Sequence, residues 1–319
     1  MADTLIALSG VGVRYGTHWA LRDLSFEVRS GEVVALLGPN GAGKTTTMSV
    51  LAALRPPHAG VAHVGGHDVA RADRTLRAMI GLVPQRLAIY PTLSAAENCT
   101  FFARAAGLRG SRVREAVDRV LAVVGLVDRR AARADTFSGG MLRRLNLACG
   151  ILHRPRVLLL DEATVGVDPQ SRERIQAAVR NEAQSGAAVL WSTHAIDEAE
   201  RLCDRVVLID GGRVVADGAP DELVRAARAG LRVVVTTRLA LAPDWAAGLA
   251  GIEIDATGAT DDTGDRAGHR VRLRATDAST AARAVERIAV GGAGLVAVEM
   301  RPADLEDVFL ELTGRGLRD

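Results

Sequence analysis

The sequence predicts an α/β fold on a parallel sheet, with an antiparallel β part, an inserted helical stretch and a small α+β module after it. Three observations predict this. Residues 38–45 read Gly38-Pro39-Asn40-Gly41-Ala42-Gly43-Lys44-Thr45, between an apolar run (Glu32 to Leu37) and a segment able to form a helix (Thr46 to Leu54, stopped by Arg55-Pro56-Pro57). Val157 to Leu160 and Ala187 to Trp191 are further short apolar runs without a polar face, the pattern of strands buried on both sides. Helix-length segments alternate with these runs, as parallel strands require.

The octet matches the P-loop pattern: glycine, four residues, glycine, lysine, serine or threonine. Glycines let backbone N–H groups turn inward around an anion without Cβ clashes. The following helix adds free N-terminal amides and the positive end of its dipole. Lys44 supplies a compact charge for β- and γ-phosphates; it is the only lysine in the chain, every other basic side chain being arginine. The Thr45 hydroxyl can ligate Mg²⁺, with Thr46 beside it in the loop-to-helix turn.

Before the octet, Leu5 to Val13 and Trp19 to Val28 read as strands, with Tyr15-Gly16 in the loop between them. After it, Gly60 to Val69 reads as a hairpin turning at Gly65-Gly66. His63 and His67 lie there on strand and turn without a cysteine, so a metal site is disfavoured. Met79 to Gln85 is a short strand ending in glutamine.

Residues 88–155 read as helical. Ser94-x-x-Glu97 is a capping box and Gly107 suits that helix's C′ position. Ser111 can cap the next helix, whose Val113, Val117, Val120, Leu121 and Val124 share one face until Gly125. A third helix starts after Ser138-Gly139-Gly140 and runs to about His153. Asp168-Pro169 opens a further helix with a cap and a proline at N1. Arg205 to Ala216 forms a hairpin across Asp210-Gly211-Gly212.

At 319 residues the chain is long enough for about two domains. A net charge of +2 gives no argument for nucleic acid or an anionic surface as partner. The three cysteines, Cys99, Cys149 and Cys203, are far apart and read as reduced core residues. No signal-peptide pattern opens the sequence, and its longest uncharged stretch, Ala183 to Ile196, falls short of the ~18 apolar residues that span a bilayer. Any membrane-spanning part must therefore come from another chain.

A P-loop needs a second, acidic site after a buried strand, and Asp161-Glu162 follows Val157 to Leu160. Asp161 suits Mg²⁺, directly or through water; Glu162 would face the γ-phosphate, where an attacking water must lose a proton. In this order the residues resemble the nucleotide-binding subunit of an ATP-binding cassette (ABC) transporter, over residues 1 to about 230. Ser138-Gly139-Gly140-Met141 resembles the family's signature, with Phe137 where leucine is usual and Met141 where glutamine is usual. Gln85 matches the Q-loop, Val165-Gly166-Val167-Asp168 the D-loop, His194 the switch histidine and Tyr15 the aromatic that stacks on adenine. Ala163 replaces the proline usual after the glutamate, which removes no functional group. Ile89 to Ser94, Gly140 to Leu147, Gly166 to Arg172 and Asp304 to Leu310 resemble the ABC-2 exporter branch, which holds the daunorubicin-resistance ATPases.

The resemblance implies a P-loop NTPase fold with an ABC-type antiparallel β subdomain and a helical subdomain at about 88–155. It implies ATP and Mg²⁺ as cofactors, and a homodimer in which two copies meet head to tail. ATP would lie between the P-loop of one copy and Ser138, Gly139 and Gly140 of the other, with Asp168 nearby. Glu162 would act as base, and His194 would hold the γ-phosphate. Gln85 would couple the Mg²⁺ site to the helical subdomain and to a separate integral membrane permease. The chain would sit on the cytoplasmic face of the membrane and power export of a drug, lipid or polysaccharide-like cargo. Two alternatives stay open: an ATP-driven switch acting on a soluble partner, and a non-hydrolysing nucleotide-binding regulator.

Residues 231–319 read as the small α+β module, an accessory to the dimer or its regulation. Its strands fall at Leu231 to Thr237, Gly251 to Ala256, Arg270 to Ala275 and Gly294 to Met300, and its helices at Ser279 to Ala289 and Pro302 to Thr313. Gly258 to Gly268 reads as a polar loop; Asp261, Asp262 and Asp265 lack the full calcium-loop pattern, so solvated acids are the better reading.

Overall fold

The computed structural model describes residues 3–227, 230–259, 268–314 and 316. It divides into two compact units, one running up to Pro220 and the other from Asp221 to Gly316.

The first unit opens with two long strands, β1 (Thr4–Tyr15) and β2 (His18–Arg29), then β3 (Val33–Leu37) and α1 (Lys44–Leu51). β4 (Ala59–Val64) and β5 (His67–Asp68) follow, then α2 (Arg74–Met79) and β6 (Ile80–Val83). The helical stretch holds α3 (Ala95–Ala105), α4 (Ser111–Val123) and α5 (Gly139–Gly150). β7 (Val157–Asp161), α6 (Pro169–Gln184), β8 (Ala188–Thr193), α7 (Ile196–Leu202), β9 (Arg205–Asp210) and β10 (Arg213–Gly218) complete it.

Two sheets result. The first, in the order β2-β1-β4-β5, is antiparallel. The second, in the order β10-β9-β3-β8-β7-β6, is parallel except for the β10–β9 hairpin. All five residues of β3 and Val157 to Leu160 of β7 are buried, as their unbroken apolar runs require, and Asp161, which ends β7, is buried with them. Each aliphatic side chain so placed contributes roughly 1.5–3 kcal/mol. One apolar core joins the two sheets, from Leu8, Leu24 and Val28 to Leu36, Leu159 and Leu190.

The topology creates a functional edge. β3, β6, β7 and β8 are parallel, so their carboxyl ends lie along one side of the sheet. Register pairs Leu37 with Thr193, Asp161 with Ser192, and Val83 with Leu160. The glycine loop, Gln85, Asp161-Glu162 and Ser192-Thr193-His194 therefore leave the sheet side by side, where ligands bind in open α/β sheets.

Several local expectations need correction. Tyr15 ends β1 rather than lying in the loop, because β1 and β2 stay paired to Tyr15 and His18. α1 begins at Lys44, two residues earlier than expected, with Gly43 as its N-cap. Ser111 does not cap α4; Gly110 takes that position (φ 60°, ψ −136°) and makes no side-chain cap bond. α5 ends at Gly150, short of His153. The Ser94–Glu97 capping box is formed, and Asp168 caps α6 with Pro169 at N1. Cys99, Cys149 and Cys203 are free and buried.

The second unit contains α8 (Pro220–Ala226), β11 (Leu231–Thr237), β12 (Ile252–Ala259), β13 (His269–Ala275), α9 (Ala278–Val290), β14 (Leu295–Pro302) and α10 (Leu305–Thr313). Its antiparallel sheet runs β12-β13-β11-β14. Val233, Val235, Val271 and Leu273 pack on Ala281, Ala284 and Ile288 of α9. On the alternate face, Arg232 pairs with Asp307 of α10 at 2.5 Å and with Asp255. β12 continues through Ala259, beyond the strand end expected from sequence; Asp261, Asp262 and Asp265 lie outside the described residues.

Candidate functional site

The glycine loop turns back on the end of β3. Gly43 has φ 110°, and a Cβ there would meet Leu21 Cδ2 at 2.6 Å and the Ala20 carbonyl at 2.9 Å. Conformation and space both demand glycine. Lys44 is 6% exposed, and its Nζ donates to the carbonyls of Gly38 (2.6 Å) and Pro39 (3.0 Å). Burial lowers the pKa of the Lys44 ammonium, while the carboxylates of Glu162 and Asp161 pull it back up. Asn40, Gly41 and Thr45 are exposed; Gly43 and Thr46 are half-buried, and Gly38, Pro39 and Ala42 are buried.

Asp161 is the last residue of β7, and its Oδ1 accepts from the Ser192 hydroxyl at 2.5 Å. Glu162 follows in the left-handed region, φ 48°, where a non-glycine residue is strained by about 1–3 kcal/mol. Its N–H donates to the Ser192 carbonyl and to the Ser192 hydroxyl, each at 3.1 Å. Gln85 Nε2 donates to Glu162 Oε2 at 2.6 Å, and His194 Nδ1 lies 3.4 Å from Glu162 Oε1. The three residues expected to act in hydrolysis thus converge on one carboxylate, within electrostatic reach of Lys44.

The Thr45 hydroxyl, the Asp161 carboxylate and the Gln85 amide oxygen form an oxygen-only donor set that fits Mg²⁺ chemistry. Gln85 commits its nitrogen to Glu162, so its oxygen is the atom suited to a cation. The histidine pair reads otherwise: His67 faces Asp73 at 3.6 Å. Among the described residues, no three His, Cys, Asp or Glu side chains cluster in a way that could hold a metal.

The remaining site residues occupy two other places. Ser138 caps α5, its hydroxyl accepting from the Met141 N–H at 3.3 Å. Gly140 lies against Asp168 and Ser171 at the start of α6, while a Cβ on Gly139 would meet nothing within 4 Å. Asp168 Oδ1 accepts from the Ser171 N–H at 2.9 Å. Tyr15 is half-exposed, with the Arg55 guanidinium 4.3 Å from its ring centroid.

Sequence reading missed Ser192 and Arg143. Ser192 secures both Asp161 and Glu162; a serine ending an apolar strand was the available signal. Arg143 of α5 donates from Nη1 to the Gln85 carbonyl. The Ala88 N–H bonds Asn146 of α5 (3.0 Å), and the Tyr90 N–H bonds Asn98 of α3 (2.7 Å). The segment carrying Gln85 is therefore fastened to the helical part. Nearby, Leu87, Tyr90 and Phe101 are exposed, with the Tyr90 and Phe101 rings edge to face at 4.9 Å.

A family model described as ABC transporter matches residues 21–165. The linearmycin resistance ATP-binding protein of Bacillus subtilis (strain 168) is 34% identical over 310 residues, covering 96% of this chain and 97% of that protein. The daunorubicin resistance ATP-binding protein of Streptomyces coeruleorubidus is 40% identical over 316 residues, covering 98% and 97%. Among solved structures, an ATP-binding subunit of an ABC transporter superposes with TM-score 0.65 at 31% identity, over 70% of this chain and 92% of that one.

Proposed function

This chain belongs to the ABC transporter ATP-binding family, in the branch of the daunorubicin-resistance ATP-binding proteins, and from that premise we propose that it drives an exporter by closing head to tail on a second copy of itself around ATP. It is the ATP-binding subunit of a transporter and an ATPase. The observation that carries the mechanism is Glu162, held in a left-handed conformation between Gln85 and His194 beside the Lys44 loop.

In this reading the loop from Gly38 to Thr46, through its backbone N–H groups other than at Pro39, which has none, and the Lys44 ammonium bind the phosphates. Tyr15 stacks on the base. Thr45, Asp161 and Gln85 would hold Mg²⁺, which would supply charge neutralisation to the phosphates. Glu162 takes the proton of the attacking water, and His194 orients Glu162 and the terminal phosphate. Ser138, Gly139 and Gly140 offer a helix N-terminus to the partner's nucleotide, with Asp168 packed behind it. Losing the terminal phosphate removes the ligand shared by the two copies, and they separate.

No helix among the described residues is long and apolar enough to cross a membrane. With this chain on the cytoplasmic face of the membrane, we assign the spanning role to a separate integral membrane permease. The exposed Leu87, Tyr90 and Phe101 surface, fastened to Gln85, is its docking region. Residues 1–230 form the ATPase part, with its helical subdomain at 88–155; residues 231–319 are accessory. Relatives are named for linearmycin and daunorubicin resistance and for Nod factor export, so we keep the cargo as drug, lipid or polysaccharide-like.

Sedimentation of Glu162→Gln with ATP and Mg²⁺ tests the shared-nucleotide reading. The mass should double with ATP and return to the monomer value with ADP. A monomer in both conditions would refute it.

A further inference from the structure

Glu198 is 2% exposed and lies in α7, four residues after His194. A buried carboxylate is costly unless its oxygens are met by donors. Here Oε2 accepts from the hydroxyls of Thr164 (2.8 Å) and Thr193 (3.1 Å). Oε1 has only an ion-pair contact, 3.3 Å from Arg172 Nε, without hydrogen-bond geometry. Both threonines are buried as well.

Their positions give the contact its meaning. Thr164 is two residues beyond Glu162, and Thr193 immediately precedes His194. The Thr193 hydroxyl donates to Glu198 and accepts from the Ala195 N–H at 3.0 Å, so the backbone on both sides of His194 is pinned. Glu162 occupies a strained conformation, which persists only when its surroundings over-determine it. Ser192 fixes that residue's N–H, and Thr164 fixes the chain leaving it.

We propose that Glu198 is a positioning residue for hydrolysis: it clamps the segment leaving Glu162 to the segment entering His194 through two threonine hydroxyls that converge on one oxygen. The inference rests on Glu162 and His194 being the hydrolytic pair. Glu198 touches no nucleotide in this scheme. It sets the distance between two groups that do, and a misplacement of about 1 Å can cost about 10²-fold in rate.

Steady-state ATP hydrolysis of the full chain, with Tm measured alongside, tests it. Glu198→Ala should lower kcat by roughly 10–100-fold while KM for ATP stays within about twofold. Glu198→Gln can keep an acceptor oxygen between the threonines while losing the charge toward Arg172. It should retain kcat within about threefold of wild type, the rescue a threonine clamp requires. Thr193→Val matches threonine in shape; it should lower kcat alone and add little to Glu198→Ala.

A folded Glu198→Ala with wild-type kcat overturns the proposal. So does equal loss in the Ala and Gln variants, which would assign the effect to the Arg172 pair, or a loss expressed only in KM. If Glu198→Ala does not fold, Thr193→Val decides, and an unchanged kcat there is equally fatal. Glu162→Gln is run in parallel. If it turns over at the wild-type rate, the underlying assignment fails; if it is inactive while Glu198→Ala is unaffected, only the clamp fails.

Discussion

The side-chain amide of Gln85 donates to Oε2 of Glu162 at 2.6 Å, while the Gln85 carbonyl accepts from Arg143 of α5. One residue thus touches the carboxylate proposed as base with its side chain and the helical part with its backbone. Because Ala88 and Tyr90 are also bonded to α5 and α3, a shift of those helices carries Gln85 with it. In the function proposed above, this fastening is the route by which a permease on the helical part would reach the carboxylate of Glu162.

Replacing Glu162 by Gln removes the proposed base and keeps its shape. General-base assistance is worth about 10²–10⁴ in rate, so kcat should fall at least about 100-fold with ATP still bound. Phosphate release and nucleotide binding, measured together, check this. Hydrolysis at the wild-type rate would remove Glu162 from that role.

Lys44→Ala should act on binding. Hydrogen bonds to charged groups contribute about 1.5–3 kcal/mol, so the Kd for ATP should rise roughly 10–100-fold. The variant also leaves the Gly38 and Pro39 carbonyls without the Nζ donor they now share. Titration calorimetry reads the affinity directly, and an unchanged Kd would contradict the P-loop assignment.

What the sequence disclosed was local. Val157 to Leu160 reads as a buried strand because a short apolar run has few other options, and Asp168-Pro169 reads as a helix start because capping depends on residues three apart. What stayed hidden depends on partners distant in the chain. Ser192 bonds an aspartate 31 positions away, and Glu198 bonds a threonine 34 positions away. No local pattern ties either residue to its distant partner. The short helix α2 also went unread, since its six residues are too few to show a period. Ser111 misled because a serine before an apolar face is a common cap, yet Gly110, able to take φ 60°, occupied that place.

Acid should destabilise the fold through its helix caps. The N–H groups of Leu76, Ser171 and Thr280 hold the carboxyls of Asp73, Asp168 and Asp277 below their ordinary pKa of 3.8. The folded pKa lies below the unfolded one, so this stabilisation is present above about pH 4 and is lost as pH falls through the folded values. Denaturation midpoints between pH 6 and pH 3 should show the loss. Asp73→Asn keeps a cap acceptor without a titrating group and should flatten the slope; an unaltered slope would show that this carboxylate is not linked to folding.

Gly139 and Gly140 separate folding from function within one turn. A Cβ on Gly140 would lie 2.3 Å from Asp168 Oδ2 and 2.4 Å from Ser171 Oγ. Gly140→Ala must therefore displace the cap of α6, and overpacking of this kind costs about 1–3 kcal/mol. A Cβ on Gly139 meets nothing within 4 Å. Gly139→Ala should hold or slightly raise Tm, since alanine is favoured over glycine in a helix by about 1 kcal/mol. If this turn closes on a nucleotide carried by a second copy, the new methyl stands where the phosphate must approach. ATP-driven association and kcat should then fall together, while ATP affinity of the single chain stays at the wild-type value. Sedimentation, turnover and a thermal melt on the two variants settle the question, because an effect of folding appears in Gly140→Ala alone and an effect of the shared nucleotide appears in both. Undiminished dimer formation and turnover in Gly139→Ala would exclude the turn from nucleotide binding.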